Sequence, residues 1–109
     1  LSSSQLLKGI LEGCLLAIIA ERETYGYEMV EKLASYGFTM VSEGSIYPLL
    51  LRMKKEGLVT TTSKILPSGG PKRKYYKLTA EGQAELKDFR ERWAEVSSSV
   101  DNILRRDHS

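Results

Sequence analysis

Toward its C-terminal end the chain carries six large apolar residues, Leu86, Phe89, Trp93, Val96, Val100 and Ile103, spaced 3, 4, 3, 4 and 3 apart. This is a heptad stripe along one helix, with Leu86, Trp93 and Val100 at one seam position and Phe89, Val96 and Ile103 at the other. A helix starting at Thr79 and running about 26 residues measures about 39 Å. The whole chain has 109 residues, enough for one hydrophobic core. So long and narrow a stripe outruns that core and demands a partner helix, which predicts a dimer with Leu86, Trp93, Val100 and Ile103 at its interface.

The sequence before the stripe divides into three helical runs and a hairpin. Residues 3–20 place Leu7, Ile10, Leu11, Cys14, Leu15 and Ile18 at helical spacing, with Leu6 and Ile19 widening the stripe, so the first helix is expected to be buried on more than one side. Thr24 is positioned to cap a second helix over 25–36, with an apolar face of Tyr27, Val30 and Leu33 and a stop at Gly37. A third helix over 42–56 sets Ile46, Leu49, Leu50 and Met53 on one side and closes at Gly57. Pro48 falls inside it at a cost of about 3 kcal/mol unless the helix starts at Ser45. A start between 42 and 45 is expected.

After Gly57 the composition turns to strand formers, LVTTTSKIL at 58–66, then PSGGP, then KRKYYKL at 72–78. Alternation on the second strand puts Lys74, Tyr76 and Leu78 on one face and Arg73, Tyr75 and Lys77 on the other, with Leu78 marking the first as the core face. The hairpin belongs to the most cationic part of the chain. Residues 52–77 hold eight Lys and Arg against Glu56 alone, so in a protein of net charge +2 the remainder carries −5. Such segregation orients the molecule toward a polyanion as well as attracting it.

Several function classes drop out. The glycines of SGGPKRK join two strands, whereas a nucleotide-cradling loop needs G-x-x-x-x-G-K-[ST] between strand and helix. One terminal histidine (His108), one cysteine in an apolar pattern (Cys14) and scattered carboxylates supply no nucleophile with its base and no metal cluster, so neither an enzyme nor a cofactor is expected. Cys14 reads as a buried, inert thiol. The apolar run LLAIIA at 15–20 is broken at once by Glu21, Arg22 and Glu23, too short to cross a membrane. No leader-peptide pattern precedes it, and a cytoplasmic location is expected.

Helix, helix, helix, hairpin, helix is the order of a winged helix-turn-helix domain, in which the third helix enters the major groove and the hairpin touches the neighbouring backbone. The fold expected is mainly α with a β-hairpin: a winged helix-turn-helix DNA-binding domain over 1–78 and a dimerisation helix with a polar tail over 79–109. Particular residues narrow this. Tyr25-Gly26-Tyr27-Glu28, EGSIYPLL at 43–50, Arg73-Lys74-Tyr75-Tyr76 and Leu78-Thr79-Ala80-Glu81-Gly82 occur in order. In them the chain resembles the PadR family of bacterial transcriptional regulators from about Leu6 to Gly82, and its single final helix looks like the family's short branch. The resemblance implies a homodimer on a near-palindromic operator, usually a repressor released by a small molecule, with the first and last helices forming the dimer.

On the third helix Ser45, Tyr47, Arg52 and Lys55 lie off the core stripe and, with Lys72, Arg73 and Lys74 of the wing, are the candidate contacts to double-stranded DNA. A plainer alternative has Ser45 capping the helix and Tyr47 packing on the wing. Leu51 stands where the family often has a basic residue, which implies fewer phosphate contacts or a thymine-methyl contact. A two-fold axis near Trp93 would bring two indoles together, and the family includes members that sense planar compounds at the dimer interface. Trp93, Phe89 and Val96 are therefore candidates for a site taking a planar apolar effector. The alternative function is a winged-helix interaction module whose basic wing binds an acidic protein.

Overall fold

The structure, a computed structural model, describes residues 9–106. The earliest part of the first predicted helix and the polar tail with His108 lie outside the described residues. Helix α1 (Leu11–Glu21) buries Leu11, Leu15, Leu16, Ile18 and Ile19. Adjacent apolar pairs point about 100° apart on a helix, so this one is covered on more than one side, as its sequence predicts. It ends at Arg22, whose backbone is extended.

The next element departs from expectation. Thr24 and Tyr25 form a two-residue strand, β1, so Thr24 is not the cap of the second helix. Helix α2 (Gly26–Ser35) has Tyr25 at its N-cap with no side-chain cap bond, and the Thr24 hydroxyl donates instead to Glu28 Oε1 at 3.0 Å. At the other end Phe38 N–H donates to Leu33 O and Gly37 N–H to Ala34 O, which satisfies two carbonyls the helix leaves unpaired.

Helix α3 (Glu43–Lys55) starts at the early end of the predicted window, with Ser42 as N-cap and Pro48 inside. Pro48 removes the bond that position 48 would make to the Gly44 carbonyl, but both residues lie on the exposed side of the helix. The helix closes as α2 does: Leu58 N–H donates to Met53 O and Gly57 N–H to Lys54 O. Gly57 turns the chain at φ 78°, a left-handed value that a Cβ would oppose.

Strands β2 (Val59–Lys64) and β3 (Arg73–Leu78) form the predicted hairpin. β1 adds to its other side, giving an antiparallel sheet of order β1-β3-β2 in which Tyr76 faces both Thr24 and Thr61. Thr79 then ties the base of the hairpin shut. Its hydroxyl donates to Gly57 O at 2.6 Å, its N–H donates to Leu58 O at 3.0 Å, and the same hydroxyl oxygen accepts from Gly82 N–H to cap the last helix. Helix α4 (Ala80–Arg106) has 27 residues.

Leu15, Ile19, Met29, Leu33, Ile46 and Met53 are among the fully buried side chains where α1, α2 and α3 meet. Each contributes about 1.5–3 kcal/mol relative to exposure, which fixes α3 against the rest and leaves its other face outward. Val59, Tyr76 and Leu86 extend the same core to the hairpin and to the start of α4. Leu86, expected at a dimer interface, is thus already covered within its own chain.

Candidate nucleic-acid interface

Two surfaces converge on the exposed side of α3: the helix itself and the wing, β2 to β3. The helix start is rigidly built. Ser45 N–H donates to Ser42 Oγ at 3.3 Å, Ser42 N–H donates to Ser45 Oγ at 2.9 Å, and the Ser45 hydroxyl donates to Ser42 O at 2.8 Å. The only proton of the Ser45 hydroxyl is therefore spent inside a reciprocal cap. Ser45 acts as a capping residue, the plainer of its two readings, and keeps at most an acceptor for a base.

Tyr47 follows on the same exposed side, 52% accessible, with Lys74 Nζ 5.9 Å from the centre of its ring. This joins α3 to the wing across a cleft of about 220 Å³, lined also by Gly26, Glu43 and Arg73. Tyr76 closes the cleft on the core side. Burial, and then the neighbouring Tyr47, raise the Tyr76 phenol above its ordinary value, so it stays neutral. Tyr47 thus packs against the wing and still presents half its surface outward.

The cations divide into two groups. Arg52 pairs with Glu12 of α1 and lies 3.8 Å from Glu56. Lys64 pairs with Glu23 and sits 5.1 Å from the Tyr75 ring centre. Arg73 donates to the Tyr25 hydroxyl with its guanidinium 4.7 Å from that ring's centre, and Tyr25 meets Tyr75 edge to face at 5.2 Å. These three cations already have partners within the chain. Lys54, Lys55, Lys72 and Lys74 are exposed and have no carboxylate within ion-pair distance among the described residues. Of the sequence-predicted DNA contacts, then, Lys55 and Lys72 have no ion-pair partner among the described residues, Lys74 lies over the Tyr47 ring without a carboxylate, and Arg52 and Arg73 are engaged. Leu51 is exposed on α3 as its spacing predicts.

A second concavity lies on the opposite side, between α1 and α4. It measures about 440 Å³, and Cys14, Ala17, Phe38, Phe89, Arg90 and Trp93 are among its walls. Gly13 makes it possible: a Cβ there would stand 2.4 Å from the Phe89 ring, so only glycine lets the two helices approach this closely. Cys14 is half-buried rather than fully buried, and desolvation pushes its thiol upward, which favours the neutral form. Val96, expected at this site, is exposed and not part of its wall. Phe38 and Arg90 were missed from sequence; Phe38 lies in a loop without periodicity, and Arg90 reads as an ordinary surface charge.

Three helices, a winged hairpin stapled at its base and a lysine-lined outer face on α3 define a winged-helix DNA-binding protein. The chain matches the transcriptional regulator PadR-like family over residues 15–88 and belongs to that family, whose members are DNA-binding regulators rather than enzymes. Its fold superimposes on a PadR-like transcriptional regulator from Bacillus cereus with a TM-score of 0.83 at 56% identity, covering 92% of this chain and 96% of that one. A Streptococcus transcriptional regulator gives a TM-score of 0.81 at 41% identity, with 91% and 96% coverage. A Mycobacterium tuberculosis transcriptional regulator is 30% identical over 81 residues, 74% of this chain and 73% of its own. No helix among the described residues is long and apolar enough to cross a membrane.

Proposed function

We propose that this regulator is a homodimeric repressor whose hold on a near-palindromic operator is released by a planar apolar ligand. The observation that carries the reading is the outer length of α4, where Trp93, Val96, Val100, Ile103 and Leu104 are all exposed large apolar residues on one helix. The heptad spacing of the first four, with Leu104 widening the stripe beside Ile103, suits burial against the same helix of a second copy. A two-fold axis there sets two recognition helices to meet half-sites about one helical turn apart. Residues 1–78 read the operator and 79–109 pair the copies.

The groove beside Trp93 supports the ligand. Its walls are mainly apolar and include three aromatic rings, Phe38, Phe89 and Trp93, the last of which belongs to the exposed stripe of α4. Flat compounds enclosed between the two copies should quench Trp93 fluorescence at about one ligand per dimer. The same compounds should weaken operator binding, because a ligand favouring the DNA-incompetent arrangement is expelled by DNA to the same degree. Titrating phenolics, dyes and antibiotics against the protein, free and bound to the DNA upstream of its own gene, tests both. A protein that remains monomeric at micromolar concentration, or ligands that quench without releasing DNA, would defeat the proposal.

A further inference from the structure

The wing carries one residue that its cationic role does not account for. Ile65 follows the last paired residue of β2 and is 57% exposed. It is a large apolar side chain in water at the end of a two-stranded finger, and it takes no part in the core. Beyond it the tip is tightly closed, with Gly69 N–H donating to Leu66 O at 2.8 Å.

Its direction follows from the register. Ser63 pairs with Lys74 and Lys64 with Arg73, and directly paired residues share a face of the sheet. Arg73 and Lys64 turn to the outer face, where their aromatic partners Tyr25 and Tyr75 lie. Lys74 turns to the face over Tyr47 of α3. Carrying the alternation one residue past the last pair puts Ile65 with Ser63 and Lys74, on the side that overhangs the recognition helix. An apolar side chain on that side, on a wing whose other strand carries Lys74 opposite Ser63 and the exposed Lys72 at its start, fits a polyanion with an apolar floor.

The minor groove of DNA is such a surface. Lysines take the phosphates on its rims, and its floor differs between base pairs: A·T shows only acceptors, whereas G·C adds the guanine 2-amino group. Isoleucine has no acceptor for that amino group and would strip it of water, a desolvation without compensation. We propose that Ile65 is a specificity-determining residue, which presses into the minor groove flanking each half-site and selects A·T pairs there. The proposal rests on DNA binding through α3 and the wing, and it adds a preference outside the bases that α3 reaches.

The test is selection from a randomised duplex library by the intact protein, its Ile65→Ser variant and the conservative Ile65→Val variant. The wild type and Ile65→Val should enrich A·T pairs flanking the half-sites. Ile65→Ser should lose that flank bias while keeping the inner half-site and the dependence of affinity on salt. Guanine in the flank should cost the wild type about fivefold in affinity. Replacing that guanine with inosine, which lacks the 2-amino group, should restore the loss for the wild type and change nothing for Ile65→Ser. A flank bias that survives in Ile65→Ser would belong to the lysines and overturn the proposal. So would a wild type without flank bias, or an Ile65→Ser protein whose only defect is loss of the dimer. Failure of the wild type to enrich any sequence would instead strike at sequence-specific binding itself.

Discussion

Two lengths of α4 carry one heptad pattern and meet opposite fates. Leu86 is 5% exposed, held in the core of its own protomer, while Trp93 and Val100, at the same seam position one and two heptads on, are 46% and 47% exposed. The difference lies in what stands opposite. Near Leu86 and Phe89 the missing side chain of Gly13 lets α1 close against α4; beyond Trp93 no described residue covers the stripe. A heptad records that one side of a helix is apolar and says nothing about whose atoms will cover it.

The sharpest way to break this comparison is to put a charge on each side of the boundary. Leu86→Asp buries an unpaired carboxylate in the protomer core, which costs several kcal/mol. It should abolish the cooperative thermal transition seen by circular dichroism. Val100→Asp combined with Ile103→Asp should leave a helical protein whose mass by light scattering is that of a monomer. Two folded monomers, or two unfolded proteins, would erase the distinction.

Gly13→Ala probes the boundary itself. The added methyl would meet the Phe89 ring at 2.4 Å, and forced overpacking costs about 1–3 kcal/mol. Tm should fall by several degrees with the monomer–dimer balance little changed; loss of the dimer alone would move the boundary inward.

The same contrast between covered and open side chains divides the cations. Lys72→Ala and Lys74→Ala should each lower the slope of log affinity against log salt by about 0.9. Arg52→Ala should lower it less, because Glu12 already occupies that guanidinium. Equal slopes for all three would mean that DNA draws Arg52 away from its partner.

The smallest effect concerns the covered phenol of Tyr76. Its folded value lies above the ordinary 10.0, so above that pH the unfolded chain releases a proton that the folded one retains. Stability should therefore fall as pH rises through about 10 toward the folded value, and Tyr76→Phe should make the fall shallower in urea titrations. An unchanged slope would show that the other tyrosines and the lysines account for it.

What could be read from the sequence was what repeats locally. The apolar spacing of α1 and α3, the alternation Lys74-Tyr76-Leu78 and the stop at Gly57 each declare themselves within one or two turns or a few strand residues. β1 escaped because two residues cannot display an alternation, and Thr24 then looked like a cap. The partners of the cations escaped for another reason. Arg52 finds Glu12, Lys64 finds Glu23 and Arg73 finds Tyr25 across separations of 40, 41 and 48 residues. No local pattern marks such pairs, since each arises only after the core has set α1, β1 and the wing side by side. Ser45 shows the same limit in miniature: its face of the helix was legible, but the spent hydroxyl proton was not.

Thr79 has a consequence for how such a protein can vary. By bonding to Gly57 and Leu58 it pins the end of α3 to the start of α4, so everything between is a closed loop whose ends are held by contacts outside its tip. The entropy lost in closing a loop grows only with the logarithm of its length, about 0.6 kcal/mol for each doubling. Insertions or deletions among residues 65–72 therefore leave the three-helix core almost untouched while changing how far the finger extends. Reach along a binding partner and thermodynamic stability become separately adjustable quantities, and a change of target need not begin with a change in the core.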